Sequence, residues 1–124
     1  MTPTFLLKEG RLLAVLGSPG GPTIITTVLQ TLIHIIDHGM SLEQSIGAPR
    51  LHHPWMPDEV YAEHTTLTGK ERVQLEAMGH RFSAAAGRAG EEWGDAEGIL
   101  LEPKSGVRIG VTDPRSADAG AVGY

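Results

Sequence analysis

The chain has 124 residues, with 16 glycines, eight prolines and no cysteine. That is the length of one domain, and the absence of cysteine excludes disulfide frameworks, thiolate metal sites and cysteine nucleophiles. Fifteen Asp and Glu against ten Lys and Arg give a net charge of −5, which offers nucleic acid no basic face.

Residues 5–7 and 11–16 are apolar runs joined by Lys8-Glu9-Gly10, the pattern of a β-hairpin. Neither run alternates, so both strands are expected to be covered on both faces. The sharp loop Gly17-Ser18-Pro19-Gly20-Gly21-Pro22 follows, and Pro22 suits the first turn of a helix. In that helix Ile24, Ile25, Val28, Leu32, Ile35 and Ile36 form an apolar stripe. Thr23, Thr27, Gln30, His34 and Asp37 form the opposite, polar one, and Gly39 caps the end. The stretch 24–36 is broken by Thr, Gln and His, and falls short of the roughly 20 apolar residues of a membrane span.

Ser41-Leu42-Glu43-Gln44 is a capping box that opens a second short helix, which stops before Pro49. Residues 50–57 read as loop and 59–63 as an alternating strand. Thr68-Gly69-Lys70-Glu71 is another capping box, opening a helix that Gly79 closes. Arg81-Phe82-Ser83 is a short strand. The Ala- and Gly-rich residues 84–96 are expected to form a mobile loop. Residues 97–102 and 107–111 form a second hairpin over Pro103-Lys104-Ser105-Gly106. No repeat, linker or low-complexity block divides residues 1–124.

The glycine loop is the sharpest chemical feature. It joins a strand to a helix N-terminus, where free N–H groups and the helix dipole favour negative charge. Two adjacent glycines admit a ligand close to the backbone, so the loop is either an ordinary tight turn or an oxyanion site. No Lys-Ser/Thr pair follows, which disfavours a phosphate loop. His34 and His38 are spaced to share a metal, but Ile35 stands where a zinc-protease helix carries Glu. A solvated or hydrogen-bonded pair is the expectation, as it is for His52-His53, and no metal or cofactor is expected. Asp58-Glu59 is assigned a packing or loop-fixing role. Thr2, freed of Met1, would be an N-terminal nucleophile, but Pro3 restricts its backbone. Asp113-Pro114-Arg115 is read as a turn with a surface ion pair.

Several segments in order resemble the gamma-glutamyltranspeptidase family. They are Met1-Thr2-Pro3-Thr4, Leu16-Gly17-Ser18-Pro19-Gly20-Gly21 and Ile25-Thr26-Thr27-Val28-Leu29-Gln30. The run from Ala48-Pro49-Arg50-Leu51-His52-His53 to Pro57-Asp58-Glu59, then Asp113-Pro114-Arg115 and Gly123-Tyr124, continue the likeness. The resemblance implies an α+β fold, part of the αββα sandwich of N-terminal-nucleophile hydrolases, with mostly antiparallel sheet and packed helices. It further implies a precursor that cleaves itself. The new N-terminal threonine attacks gamma-glutamyl amides such as glutathione, then passes the acyl group to water, amino acids or peptides.

By that resemblance Gly20 and Gly21 supply the backbone oxyanion hole, and Ser18 and Pro19 shape the loop. Arg50, His52 and His53 match a recurrent loop, with no catalytic role carried over. The resemblance makes residues 1–124 the C-terminal portion of a small subunit. It places the nucleophile, the groups that hold the glutamyl moiety and the large subunit upstream of Met1, and so argues against Thr2. His53 is followed by Pro54 where a glutamine is expected, and residues 84–96 depart from the family pattern.

The chain alone is therefore expected to be inactive, exposing strand edges and apolar faces. Its expected partners are the missing large subunit and upstream segment, or a second copy, with a small gamma-glutamyl substrate. A periplasmic or secreted location is expected for part of an exported precursor, and a cytoplasmic one for this chain expressed by itself. The alternative is a truncated, non-catalytic binding or assembly module.

Overall fold

The computed structural model describes residues 3–83 and 93–123. Four antiparallel strands form one sheet in the order β1-β2-β5-β6. They are β1 (Thr4–Lys8), β2 (Arg11–Gly17), β5 (Glu97–Leu101) and β6 (Arg108–Thr112). Strands β3 (Leu51–His52) and β4 (Tyr61–Ala62) make a separate antiparallel pair. The helices are α1 (Ile24–Ile36), α2 (Leu42–Gly47) and α3 (Gly69–Ala77).

Local chemistry sets most of these elements. Glu9 and Gly10 both take positive φ, 53° and 74°, as the tight turn of a right-twisted hairpin requires. The register shifts between Leu6 and Leu7, which bends the edge of the sheet. Both capping boxes form: Ser41 with Gln44 and Thr68 with Glu71 exchange side-chain and backbone bonds. Pro22 lies in a 3-10 turn, Gly21–Thr23, that leads into α1. The expected strand over 59–63 is shorter: Tyr61 and Ala62 pair with His52 and Leu51 of a segment expected to be all loop, and Val60 makes a single parallel bridge to Phe82 where a short strand over 81–83 is expected.

Helix α2 packs on β5 and β6, and α1 packs on α2 and β2. Leu16, Leu42, Ile46 and Ala96 form the buried centre, with Leu32, Ile35, Leu100 and Val111 around it. Two expectations are corrected here. The sheet is covered on one face among the described residues. On the other face Val15 is the register partner of both Phe5 and Ile99, and Phe5 is 62% exposed. Non-alternating runs there reflect a second apolar face that this chain leaves largely exposed, with Ala121 of the tail over Gly110, the partner of Ile99.

Helix α1 also reverses part of its expected orientation. Thr23, Thr27 and Thr31 are buried, whereas Ile25, Leu29 and Ile36 are exposed, Ile25 at 76%. The threonine hydroxyls can turn inward because each has an acceptor. Thr23 Oγ1 donates to the Gly20 carbonyl, Thr27 Oγ1 to that of Trp93 and Thr31 Oγ1 to that of Thr27. A buried hydroxyl so paired avoids the desolvation penalty.

Candidate active-site loop

Strand β2 ends at Gly17 and delivers the loop Ser18–Gly21 to the start of α1. Ser18 is fully buried. Its Oγ donates to the Pro19 carbonyl at 2.6 Å and accepts from the Asp95 amide at 3.0 Å. The Gly20 carbonyl accepts from Thr23 through both its amide, at 3.1 Å, and its hydroxyl, at 2.8 Å. The amides of Gly20 and Gly21 have no acceptor among the described residues.

The two glycines are needed for different reasons. Gly20 has φ 129°, and a Cβ there would lie 2.7 Å from Gly94 Cα and from Thr23 Oγ1. Gly94 in turn is wedged beneath: its own Cβ would fall 2.6 Å from Thr27 Oγ1 and 2.8 Å from Ser18 Oγ. Gly21 has φ 54° and faces open space, since a Cβ would meet nothing within 4 Å. The loop is therefore clamped through Gly20 and accessible at Gly21.

A buried ionic network holds the segment beneath the loop. Arg50, 2% exposed, donates through Nη1 to the carbonyls of Trp93 at 2.9 Å and Gly94 at 3.1 Å. Its Nη2 reaches the Ile46 carbonyl at 2.9 Å and Asp113 Oδ2 at 2.5 Å. The Ala96 amide also donates to Asp113 Oδ2, at 2.8 Å. Asp113 Oδ1 accepts from the Arg115 amide and Nη1, both at 3.0 Å. Arg115 then clamps Glu63 in bidentate fashion, at 2.8 and 2.6 Å. Glu63 closes the circuit by accepting from the Arg50 amide at 2.7 Å. Asp113 and Arg115 are thus not the surface pair expected from their turn.

Burial acts to raise the pKa of Asp113, but the Ala96 and Arg115 amides and the Arg50 guanidinium outweigh it and hold the carboxyl below its ordinary value. Burial likewise acts to raise Glu63, and the Arg115 guanidinium and Arg50 amide overcome it, so Glu63 is also lowered. Arg50 itself is lowered by burial, with Asp113 opposing. Arg115 is raised, chiefly by its bond to Glu63. Both carboxylates bind protons more weakly folded than unfolded, so their contribution is complete above the unfolded values, about 3.9 for Asp and 4.3 for Glu. It is lost as pH falls through the folded values. The urea midpoint is expected to drop as pH falls from about 5 toward 3, and Glu63→Gln is expected to flatten that drop. A midpoint independent of pH over this range would contradict the assignment.

The histidines do not converge. The rings of His34 and His38 lie 6.0 Å apart, tilted, and His34 Nδ1 is 3.5 Å from the Ser45 carbonyl. Among the described residues no group of three His, Asp or Glu gathers to hold a metal. His52 is buried with Nδ1 3.0 Å from Thr26 Oγ1. His53 faces outward, accepting from the Trp55 amide at 3.0 Å and meeting Asp58 at 3.2 Å. Asp58 also pairs with Arg81 at 2.8 Å, which fits its loop-fixing role. Thr2 lies outside the described residues, as do residues 84–92 of the expected mobile loop. Residues 93–96 of that loop are instead packed, with Gly94 and Ala96 buried. No local sequence pattern marks Arg50, Glu63 and Gly94 as supports of the loop. Their partners lie far off in the chain, and only the buried charge of Arg50 and Asp113, once known, marks them.

The strand-to-helix glycine loop, beside an antiparallel sheet with helices on one face, fits part of the N-terminal-nucleophile-hydrolase sandwich that the resemblance implies. A family model described as gamma-glutamyltranspeptidase matches residues 1–123, and the chain belongs to that family. It is 39% identical over 124 residues to a glutathione hydrolase proenzyme of Escherichia coli (strain K12), matching all of this chain and 20% of the relative. It is 35% identical over 127 residues to that of Pseudomonas sp. (strain A14), matching all of this chain and 22% of the relative. A crystal structure of a Helicobacter pylori gamma-glutamyltranspeptidase mutant superposes with a TM-score of 0.83 at 37% identity. That match covers 94% of this chain and 61% of the solved one. The chain therefore spans about a fifth of the length of these curated relatives.

Proposed function

We propose that this chain is the oxyanion-loop portion of an enzyme that cleaves gamma-glutamyl amides, such as glutathione, through a threonine acyl-enzyme. The acyl group then passes to water, an amino acid or a peptide. The observation that carries the reading is the pair of amides at Gly20 and Gly21 that find no acceptor among the described residues, at a helix start with Gly94 below and Thr23 beside. Fixed donors of this kind stabilise the negative oxygen of a tetrahedral intermediate without reorganising during the reaction. The two relatives, glutathione hydrolase proenzymes of Escherichia coli and Pseudomonas, supply the substrate class.

The nucleophile and the glutamyl-binding groups come, in this proposal, from the large subunit and the upstream part of the small one. The largely exposed sheet face around Phe5, Val15 and Ile99 supports such a partner, because apolar faces of this kind are covered in stable folds. Among the described residues no helix is long and apolar enough to cross a membrane.

The test is a gamma-glutamyl amide cleavage assay on the purified chain, alone and then combined with the upstream segments. Activity only in the combination supports the reading. Activity in the chain alone would return attention to Thr2, and inactivity of a properly assembled mixture would favour a non-catalytic assembly module.

A further inference from the structure

The direction of an amide is set by the carbonyl across its own peptide. A trans peptide is planar, so its C=O and N–H point opposite ways, and whatever holds the one aims the other. At the glycine loop each of the two amides without an acceptor is backed by a carbonyl that a hydroxyl holds. Behind the Gly20 N–H stands the Pro19 carbonyl, which accepts from Ser18 Oγ at 2.6 Å. Behind the Gly21 N–H stands the Gly20 carbonyl, which accepts from Thr23 Oγ1 at 2.8 Å and from the Thr23 amide at 3.1 Å. Both peptides are trans.

The Ser18 hydroxyl has one proton to give. The Asp95 amide, 3.0 Å away, can only donate to it, so that proton goes to the Pro19 carbonyl. Ser18 and Thr23 are both buried. The two carbonyls are therefore drawn toward the interior, and the two N–H groups are turned the other way. Nothing intrinsic to the glycines would achieve this. Glycine takes φ of either sign, and Gly20 and Gly21 stand at φ 129° and 54°, so the peptides beside them can turn over at little steric cost.

We propose that Ser18 and Thr23 are positioning residues, each aiming one loop amide by holding the carbonyl of the same peptide. Ser18 sets the Gly20 N–H, and Thr23 sets the Gly21 N–H. The Ser18–Asp95 bond ties the first of these to a segment 77 positions away. The effect on catalysis rests on the oxyanion reading of the loop, whereas the direction of the two amides is measurable without it.

The experiment reads single N–H directions as residual dipolar couplings of the isotope-labelled chain in a weakly aligning medium. Ser18→Ala leaves the Pro19 carbonyl buried without a donor, and turning it out to water relieves that cost. The Gly20 coupling is therefore expected to change, while those of Gly21 and of Gly98 and Gly110 in the sheet stay where they were. Thr23→Val keeps the backbone donor to the Gly20 carbonyl, so the Gly21 coupling should change by less, and that of Gly20 should hold. Ser18→Cys offers a weaker donor in the same place and should fall between; it carries the comparison if Ser18→Ala does not fold. In the mixture with the upstream segments, Ser18→Ala should lower kcat for gamma-glutamyl amide cleavage about tenfold or more with KM little changed, because the donor acts on the transition state. A merely structural role would lower the folded fraction and leave the couplings of the folded chain alone. An unchanged Gly20 coupling in the folded Ser18 variants, an unchanged Gly21 coupling in Thr23→Val, or equal changes at both glycines would each overturn the proposal. An inactive wild-type mixture beside the expected couplings would instead remove the oxyanion reading and support the positioning.

Discussion

If Gly20 has the proposed oxyanion role, replacing it by Ala is expected to lower the rate of gamma-glutamyl transfer in the mixture with the upstream segments by about 10²–10³, the cost of losing one oxyanion donor. The reason is geometric. The new Cβ would lie 2.7 Å from Gly94 Cα, and a backbone atom cannot swing aside as a side-chain tip can. With φ at 129° the alanine is strained as well. The loop must move, and the donors move with it. Gly21→Ala is the matched control. Its Cβ meets nothing within 4 Å, so it should cost about 1–2 kcal/mol of left-handed strain while leaving the donor in place. Turnover and thermal denaturation measured on both variants separate the two effects. Equal rates for the two variants would remove the oxyanion role from Gly20.

Asp113→Ala is expected to destabilise the chain by about 3–5 kcal/mol, the cost of breaking a buried ion pair from one side. Asp113 is 1% exposed and accepts from Arg50, the Ala96 amide and both the amide and guanidinium of Arg115. Its loss strands the Arg50 guanidinium in the interior. Arg50→Ala removes, in addition, the donors to the carbonyls of Ile46, Trp93 and Gly94, and should cost at least as much. Because the two residues share one network, the double variant should lose less than the two singles added together. Urea unfolding of all three measures this. A loss below about 1 kcal/mol for Asp113→Ala would be the behaviour of a surface pair and would refute the buried-network account.

The consequence of that network for the loop is indirect. Arg50 fixes the carbonyls of Trp93 and Gly94, and Gly94 is the surface on which Gly20 rests. The ion pair therefore acts on the fold first and on the glycine amides second.

Sequence by itself determined the features governed by neighbours along the chain. The Glu9-Gly10 turn, the two capping boxes and the second hairpin follow from residue types a few positions apart, and all formed. The glycine loop between β2 and α1 was legible for the same reason, and so was the family, through segments spread along the whole chain. Tertiary structure decided what depends on distant partners. Periodicity gave α1 two stripes but not their direction. Thr23, Thr27 and Thr31 point inward because acceptors at Gly20, Trp93 and Thr27 meet them there. Gln30 leaves its polar stripe to hold the amide and carbonyl of Leu51. Arg50 and Asp113 lie 63 positions apart. Whether a charged side chain is solvated or buried depends on which segments the fold brings around it, and no local pattern encodes that.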